Sequence, residues 1–193
     1  MTESVERIFE KTGAVLKGHF LLSSGLHSPV YWEKFQVLKF PEYTEKLCRL
    51  ISNHFRKSRI QVVAGPTTGG VILAYEVGRQ LGIRGIFAEK SESGGREFRR
   101  GFRIEPGERV LIVDDIMTKG GSVRDTIDAV IRLRGEIVGI GVLVDRSPEK
   151  IDFGIPFFSC HRAEVITYQP QQCPLCAAGI PLVKPGSSQP KSG

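Results

Sequence analysis

The segment VLIVDDIMTKGGS, from Val110 to Ser122, decides the fold that the sequence predicts. Its first four residues are apolar and mostly β-branched, and the run is too short for a helix, which is typical of a buried strand. Two acids, Asp114 and Asp115, follow where that strand is expected to emerge into solvent. A glycine-rich turn then leads into a helical pattern that runs to about Leu133. The segment therefore predicts a strand, a turn and a helix in direct succession.

The turn of this segment, TKGGS, is suited to binding a phosphate. It offers unobstructed backbone N–H groups, and the N-terminus of the following helix adds a partial positive charge. The adjacent acids repel a phosphate, but carboxylates accept hydrogen bonds from sugar hydroxyls and hold Mg²⁺. A ligand with a phosphate, a free diol and a metal-bound polyphosphate would match every feature. The competing interpretation is an ordinary strand–loop–helix crossover with a solvated acidic corner, and the acidic pair beside TKGGS argues against it.

Two other phosphate-binding motifs do not fit the sequence. A Walker motif needs Lys directly after its last glycine, whereas Lys119 precedes Gly120 and Gly121. A Rossmann fingerprint would need a third glycine after Gly139 and Gly141, where the chain instead continues as an apolar strand. The phosphate-binding turn therefore belongs to neither class.

Length and composition indicate one domain with anionic partners. The chain has 193 residues, a formal net charge of +6 and a pI of about 9.3. Such a balance suits nucleic acid or small phosphorylated substrates, but no basic patch is interleaved with aromatic residues, so nucleic acid is the less favoured partner. No apolar run approaches the length of a membrane span, and the charged start does not resemble a signal peptide. We therefore expect no membrane association and a cytoplasmic protein.

Strands and helices alternate along the middle of the chain, which is typical of an α/β fold with a mostly parallel sheet. An N-terminal helix, two strands within residues 18–38 and a helix after Pro41 precede this region. Residues 89–101 are polar, charged and glycine-containing, which predicts a long exposed loop. The predicted strands lie at 61–64, 85–88, 110–113 and 137–144, and the helices between them at 71–81 and about 123–133.

Ligands of such sheets bind beyond the carboxyl ends of the strands. Four loops are expected to meet at this edge: residues 65–70, 90–101, 114–122 and 145–147. The first of them, GPTTGG, is a second glycine-rich junction between a strand and a helix. Taken alone, it is equally well explained as a plain tight turn.

The segment at 114–122 resembles the signature of the type I phosphoribosyltransferases, whose donor is phosphoribosyl pyrophosphate. Members of that family grip pyrophosphate with a loop at the position of residues 65–70. Residues 20–29, FLLSSGLHSP, followed by Tyr31, are similar to the hood segment of orotate phosphoribosyltransferases. The motifs DRS at 145–147 and CPLC, GIP and KPGS between 173 and 187 extend the resemblance over nearly the whole chain.

This resemblance implies a type I phosphoribosyltransferase fold, a doubly wound, mostly parallel sheet flanked by helices. It implies a single domain over residues 1–193, with about 1–40 and the C-terminal part forming a hood and about 60–150 forming the core. The implied reaction transfers phosphoribosyl to orotate, giving orotidine 5′-monophosphate and pyrophosphate in de novo pyrimidine (UMP) biosynthesis. The implied cofactor is Mg²⁺, held mainly through the donor pyrophosphate. A homodimer is implied, in which loop 90–101 reaches the neighbour's site.

The same resemblance assigns roles to individual residues. The implied catalytic residues are Lys90, Asp114 and Asp115. The orotate site is implied to contain Ser23, Ser24, Gly25, Thr118 and Arg146, the last as a bidentate donor to the carboxylate. The donor site is implied to contain Thr67, Thr68, Gly69, Lys90, Asp114, Asp115, Ile116, Met117, Thr118, Lys119, Gly120, Gly121 and Ser122.

The chain departs from the family's pattern in its cations. Better-known bacterial members carry Lys at the positions of Ser23 and Gly69, and their mobile loop contains an Arg-Lys pair with a further Lys and His. Here only Lys90 aligns with that loop, although Arg96, Arg99 and Arg100 add charge. Two alternatives follow: a regulator of this fold that binds nucleic acid, or a transferase for another base. The SSGLHS segment argues against the latter.

Four residues near the C-terminus combine the side chains that zinc uses: Cys160, His161, Cys173 and Cys176. One CxxC with a loosely placed Cys-His pair is weak evidence for a metal site. The favoured interpretation is free or packed thiols, because four cysteines in a chain of this size do not resemble a disulfide framework.

Overall fold

The computed structural model describes residues 4–22, 24–164 and 166–185. The helices are α1 (Val5–Lys11), α2 (Phe35–Leu38), α3 (Pro41–His54), α4 (Gly69–Leu81), α5 (Gly121–Arg132) and α6 (Pro174–Ala177). The strands are β1 (Val15–Leu21), β2 (His27–Trp32), β3 (Val62–Pro66), β4 (Arg84–Lys90), β5 (Arg96–Phe98), β6 (Arg109–Met117), β7 (Glu136–Asp145) and β8 (Phe157–Arg162). None of the helices within these residues is long and apolar enough to cross a bilayer.

Six strands form one sheet in the order β5-β4-β3-β6-β7-β8, and only β5 runs antiparallel to its neighbour. Along β6 the buried side chains alternate between two cores. Leu111 and Val113 pack with α3 and α4, whereas Val110 and Ile112 pack on the face that carries α5. Helices therefore cover both faces, and the predicted doubly wound, mostly parallel sheet is confirmed. The strand order reverses between β3 and β6, where such sheets bind ligands.

The strand β6 is longer than the sequence predicts. It continues to Met117 because its pairing with β7 continues, with Asp114 beside Val142 and Met117 beside Asp145. The prediction that the two acids emerge into solvent is therefore wrong. Asp114 is 6% and Asp115 2% exposed, so both carboxylates lie inside the protein.

The predicted long exposed loop over residues 89–101 is also wrong in part. Glu89 and Lys90 end β4, and the chain turns back through residues 91–95 to pair as β5. Within this hairpin Arg96 is only 3% exposed. Residues 35–38 likewise form the short helix α2 rather than the end of a strand.

Two glycines of β7 have a packing role. A Cβ at Gly139 would approach Phe55 to 2.3 Å, and one at Gly141 would approach Ile51 to 2.5 Å. Helix α3 therefore lies directly on the backbone of this strand. These glycines serve the core, in agreement with the exclusion of a dinucleotide-binding motif.

Strands β1 and β2 form a separate antiparallel hairpin that contacts the C-terminal segment. Phe20 forms a β-bridge with Val183, and His27 forms one with Tyr168. The hairpin is thereby joined by backbone hydrogen bonds to residues about 140 to 160 positions later in the chain.

Candidate active site

The two acids of β6 lie side by side at the carboxyl end of the sheet. The backbone N–H of Asp115 donates to Asp114 Oδ1 at 2.8 Å, and that of Ile116 donates to Asp115 Oδ1 at 2.5 Å. Lys34 donates to Asp115 Oδ1 at 3.1 Å, and its Nζ lies 2.9 Å from Oδ2. Lys34 was not among the predicted site residues, and it comes from a part of the chain 81 residues away.

The glycine-rich loop after β3 lies directly against Asp115. A Cβ built on Gly69 would fall 1.6 Å from Asp115 Oδ2, so only glycine fits here without moving the carboxylate. The two segments therefore meet at the carboxyl edge of the sheet, where the sequence predicts that their loops gather.

Arg96 forms hydrogen bonds both to the glycine-rich loop after β3 and to the start of α5. It donates to Thr67 Oγ1, to the Thr67 carbonyl and to the Ala88 carbonyl, each at 3.1 Å. It also donates to Ser122 Oγ at 3.3 Å. The expectation that Arg96 adds charge to a mobile loop is wrong, because its guanidinium is buried and hydrogen-bonded to loop atoms.

The TKGGS turn joins β6 to α5 as the sequence predicts. Gly120 has a φ of 73° and precedes the first residue of α5, Gly121. Thr118 and Lys119 are exposed, as are Gly121 and Ser122. The start of a twelve-residue helix is therefore open to solvent beside the acids, where it can receive an anion.

A cavity of about 650 Å³ adjoins this turn. Of the predicted residues, Ser24, Ile116, Thr118, Lys119 and Arg146 line it. Gly25 does not line it and instead takes a φ of 81° in the hairpin turn, whereas Ser23 lies outside the described residues. Leu21, Leu22, Leu26 and Tyr31 of the segment that resembles the hood also line it, as do Lys184 and Pro185 of the KPGS motif. The remaining lining residues, which the sequence did not single out, are Trp32, Glu33, Lys34, Pro148 and Thr167.

Arg146 is the buried cation of this cavity. It is 8% exposed, burial lowers its pKa, and its Nε has no hydrogen-bond partner among the described residues. The neighbouring Asp145 accepts from the N–H and hydroxyl of Ser147 at 2.8 and 2.6 Å, which orders the loop that carries Arg146. A buried guanidinium with an unused donor is suited to binding a carboxylate.

Lys90 is exposed at the end of β4 and does not line this cavity. Its neighbours on the hairpin form local ion pairs, Arg99 with Glu97 and Arg100 with Glu89. The structure therefore gathers the acids, both glycine-rich loops and Arg146 at one edge, but it leaves Lys90 outside.

The acidic pair carries an electrostatic cost. Burial, together with the adjacent Asp115 carboxylate, raises the pKa of Asp114 from 3.8 to about 7. The folded protein therefore binds this proton more tightly than the unfolded chain, so stability falls as the pH rises from about 4 to about 7.

We expect Asp114→Asn to stabilise the free protein at pH 8 by about 1 kcal/mol or more, equivalent to about 2–4 °C in Tm. Near pH 4.5 the gain should shrink, since wild-type Asp114 is then mostly protonated. Thermal unfolding at both pH values checks this, with the exposed Asp128→Asn as the control. A variant that is less stable than wild type at pH 8 would contradict the expectation.

Cys160 and His161 do not join the CxxC cysteines. Cys160 Sγ lies 3.6 Å from the Leu47 carbonyl, and burial raises the pKa of this thiol to about 12. His161 packs against Trp32, with ring centroids 5.7 Å apart. The four-residue combination considered from the sequence is therefore not a cluster in the structure.

Residues 36–162 match the family model described as a phosphoribosyl transferase domain. The orotate phosphoribosyltransferase of Caldanaerobacter subterraneus subsp. tengcongensis is 52% identical over 96% of this chain and 97% of its own. That of Pelotomaculum thermopropionicum is 51% identical over the same shares. The crystal structure of orotate phosphoribosyltransferase from Aeropyrum pernix superposes with a TM-score of 0.69 at 26% identity, covering 82% of this chain and 93% of that one. With a phosphoribosyl transferase domain over most of its length and relatives about half identical over nearly the whole chain, this protein belongs to the orotate phosphoribosyltransferase family of type I phosphoribosyltransferases.

Proposed function

We propose that this protein transfers the phosphoribosyl group of phosphoribosyl pyrophosphate to N1 of orotate. The products are orotidine 5′-monophosphate and pyrophosphate, and the step belongs to pyrimidine (UMP) biosynthesis. The observation that carries the choice of orotate is Arg146, a buried arginine that lines the cavity and whose Nε has no hydrogen-bond partner within the described residues. Orotate is the base with a carboxylate, and a planar fork binds a carboxylate through two parallel hydrogen bonds.

The donor is proposed to bind across the two glycine-rich loops. Its 5′-phosphate binds the turn at 118–122 and the N-terminus of α5, and its pyrophosphate binds the backbone of Thr67, Thr68 and Gly69. The carboxylates of Asp114 and Asp115 accept hydrogen bonds from the ribose hydroxyls. We propose that the anomeric carbon of the bound donor then lies between the acids and the cavity.

Two cations are proposed to compensate for the lysines that better-known bacterial members have at the positions of Ser23 and Gly69. Lys34 already contacts Asp115 and lines the cavity, so it is placed to bind a charged donor. Arg96 supports the pyrophosphate loop through its bonds to Thr67. The positive charge near the bound donor is thus proposed to come from Lys34 and Arg96, at other positions along the chain.

The donor set at this edge fits a Mg²⁺ ion held mainly through the substrate. Asp115 already forms an ion pair with Lys34. Within the described residues, this edge has no group of three or more His, Cys, Asp or Glu side chains that could hold a metal ion by themselves. Mg²⁺ commonly uses one or two carboxylates together with substrate phosphates. When bound, the ion supplies charge neutralisation for the departing pyrophosphate.

The hairpin of β1 and β2 and the C-terminal segment are proposed to form a hood over the base. Leu21, Leu22 and Leu26 contribute apolar surface to the cavity, and Lys184 and Pro185 line it from the C-terminal side. An apolar cover excludes water from the reacting ribose. We propose that about 1–40 and the C-terminal part form this hood, and that about 60–150 form the core of one domain.

We also propose the cytoplasm as the compartment. None of the four cysteines forms a disulfide, which suits a reducing environment.

The active enzyme is proposed to be a homodimer in which residues 90–101 serve the neighbouring site. Lys90 is exposed and absent from the lining of its own cavity. The turn that follows contains Gly94 and Gly95 with φ values of 93° and 70°. An exposed, glycine-containing hairpin tip is suited to closing on a substrate that another subunit binds.

Mixing two inactive variants tests catalysis in trans. Lys90→Ala is combined with Asp114→Asn/Asp115→Asn, and the mixed dimer is isolated with two different affinity tags. If Lys90 acts across the interface, one of the two sites of that dimer is intact, so the isolated mixed dimer should have about half of wild-type activity. If it acts within its own chain, every site carries a defect and the mixed dimer stays inactive.

The proposed reaction is tested by following consumption of orotate with phosphoribosyl pyrophosphate and Mg²⁺. The panel contains adenine, guanine, hypoxanthine and uracil at equal concentrations. We expect turnover with orotate alone. Equal turnover of uracil, which lacks the carboxylate, would contradict the role given to Arg146.

A further inference from the structure

Four side chains outside the proposed active site bring their metal-binding atoms together. They are His19 of β1, His27 of β2, and Cys173 and Cys176 around the start of α6. One ligand atom from each lies within 4.8 Å of all the others. His19, His27 and Cys173 are 2%, 5% and 4% exposed, and Cys176 lies at the solvent edge.

The distances are close to those of a tetrahedral site. With bonds of about 2.3 Å to sulfur and about 2.0–2.1 Å to nitrogen, the nitrogen–sulfur edges of a zinc tetrahedron are about 3.6 Å. Here Cys173 Sγ and Cys176 Sγ lie 3.5 and 3.7 Å from His19 Nε2, and Cys176 Sγ lies 3.3 Å from His27 Nδ1. The two ring nitrogens are 2.9 Å apart, a few tenths of an ångström below the corresponding edge of about 3.3 Å.

A contact outside the cluster determines which ring nitrogen of His19 carries the hydrogen. Its Nδ1 lies 2.7 Å from the Ile180 carbonyl, which can only accept, so Nδ1 carries the proton. The lone pair of Nε2 then faces the two sulfur atoms. Histidine ligands of zinc are commonly oriented by such a bond from their second nitrogen.

We propose that His19, His27, Cys173 and Cys176 bind one structural zinc ion. Two thiolates and two imidazoles form a complete tetrahedral set, which leaves no open position for a substrate or an activated water. The pattern C-x-x-C supplies two ligands from one turn, and the hairpin supplies the other two from about 150 residues earlier. This inference is independent of the reaction proposed above.

The position of the cluster gives the ion a role in the architecture. It joins the β1–β2 hairpin to the C-terminal segment, beside the hydrogen bond from Leu21 N–H to the Val183 carbonyl at 2.9 Å. The same hairpin contributes Leu22 and Ser24 to the cavity. Zinc would therefore hold the wall of the cavity in place without contacting its ligand.

The test is the metal content of the full chain, purified without a histidine tag and under reducing conditions. We expect about one zinc per chain by elemental analysis. Cobalt substitution should give the charge-transfer band of cobalt–thiolate bonds. Removal of zinc with a strong chelator should lower Tm by about 5 °C or more, and added zinc should restore it.

Cys176→Ser is the informative variant, because this side chain is at the solvent edge and its replacement leaves the core intact. It should lose most of the zinc and weaken the cobalt–thiolate band, whereas Cys160→Ser should keep both. A wild-type protein that contains no zinc and takes up neither zinc nor cobalt would overturn the proposal. Full zinc content in Cys176→Ser would overturn the ligand set, and iron in place of zinc would overturn the choice of metal.

Discussion

Replacing Arg146 with Gln should raise the KM for orotate about a hundredfold and leave that for phosphoribosyl pyrophosphate within about twofold. The guanidinium is buried with an unpartnered Nε, and loss of one partner of a buried charged pair costs about 2–5 kcal/mol. Arg146→Lys keeps the charge but loses the planar fork, so we expect an intermediate increase of about tenfold. Steady-state kinetics with each substrate varied in turn measures the effect.

The control for Arg146 is Arg49→Lys. Arg49 is exposed on α3 and pairs with Glu45, remote in sequence from both donor loops. It should leave both KM values unchanged. Equal increases in the two KM values of the Arg146 variants would contradict recognition of orotate and indicate a structural role for this residue.

The double variant Asp114→Asn/Asp115→Asn should lower kcat/KM for phosphoribosyl pyrophosphate by at least about a hundredfold. Each carboxylate is proposed to accept a hydrogen bond from a ribose hydroxyl, and such bonds to charged groups contribute about 1.5–3 kcal/mol each. Asparagine keeps the size but removes the charge from both acceptors. The kinetic constants for the donor, measured at saturating orotate, give the loss directly.

Asp128→Asn, an exposed substitution on α5, is the matched control and should behave as wild type. Tm is recorded for both variants, so that a loss of activity can be separated from a loss of structure. Unchanged kinetics in the double variant would remove the two acids from the proposed donor site.

Several features follow from the local sequence because they depend on periodicity and turn chemistry. Four consecutive apolar residues at 110–113 are typical of a strand that is buried on both faces. The structure places them in a central strand of the sheet, where all four are buried. The glycines at 120 and 121 predict the turn before α5, since a φ of 73° strongly favours glycine at Gly120. The alternation of strands and helices then suffices for the doubly wound fold.

Other features of the site could not be predicted locally. The polarity of residues 89–101 indicates an exposed loop, yet Arg96 is buried because its donors bond to Thr67 and Ser122, 29 and 26 residues away. Burial of a charged side chain depends on partners that only the folded chain brings together. For the same reason, the residues around Lys34 gave no indication that it pairs with Asp115, which is 81 residues away.

The sequence by itself determined the parallel sheet, the two glycine-rich turns and the placement of Asp114, Asp115 and Arg146 at the carboxyl edge. Periodicity and strand order suffice for these, since they are properties of neighbouring residues and of the parallel sheet. Only the tertiary structure decided that the acids are buried and that Lys34 pairs with one of them. It also decided that the neighbours of the CxxC cysteines are His19 and His27, and not Cys160 and His161. Such contacts depend on where distant segments meet, and no local pattern encodes that meeting.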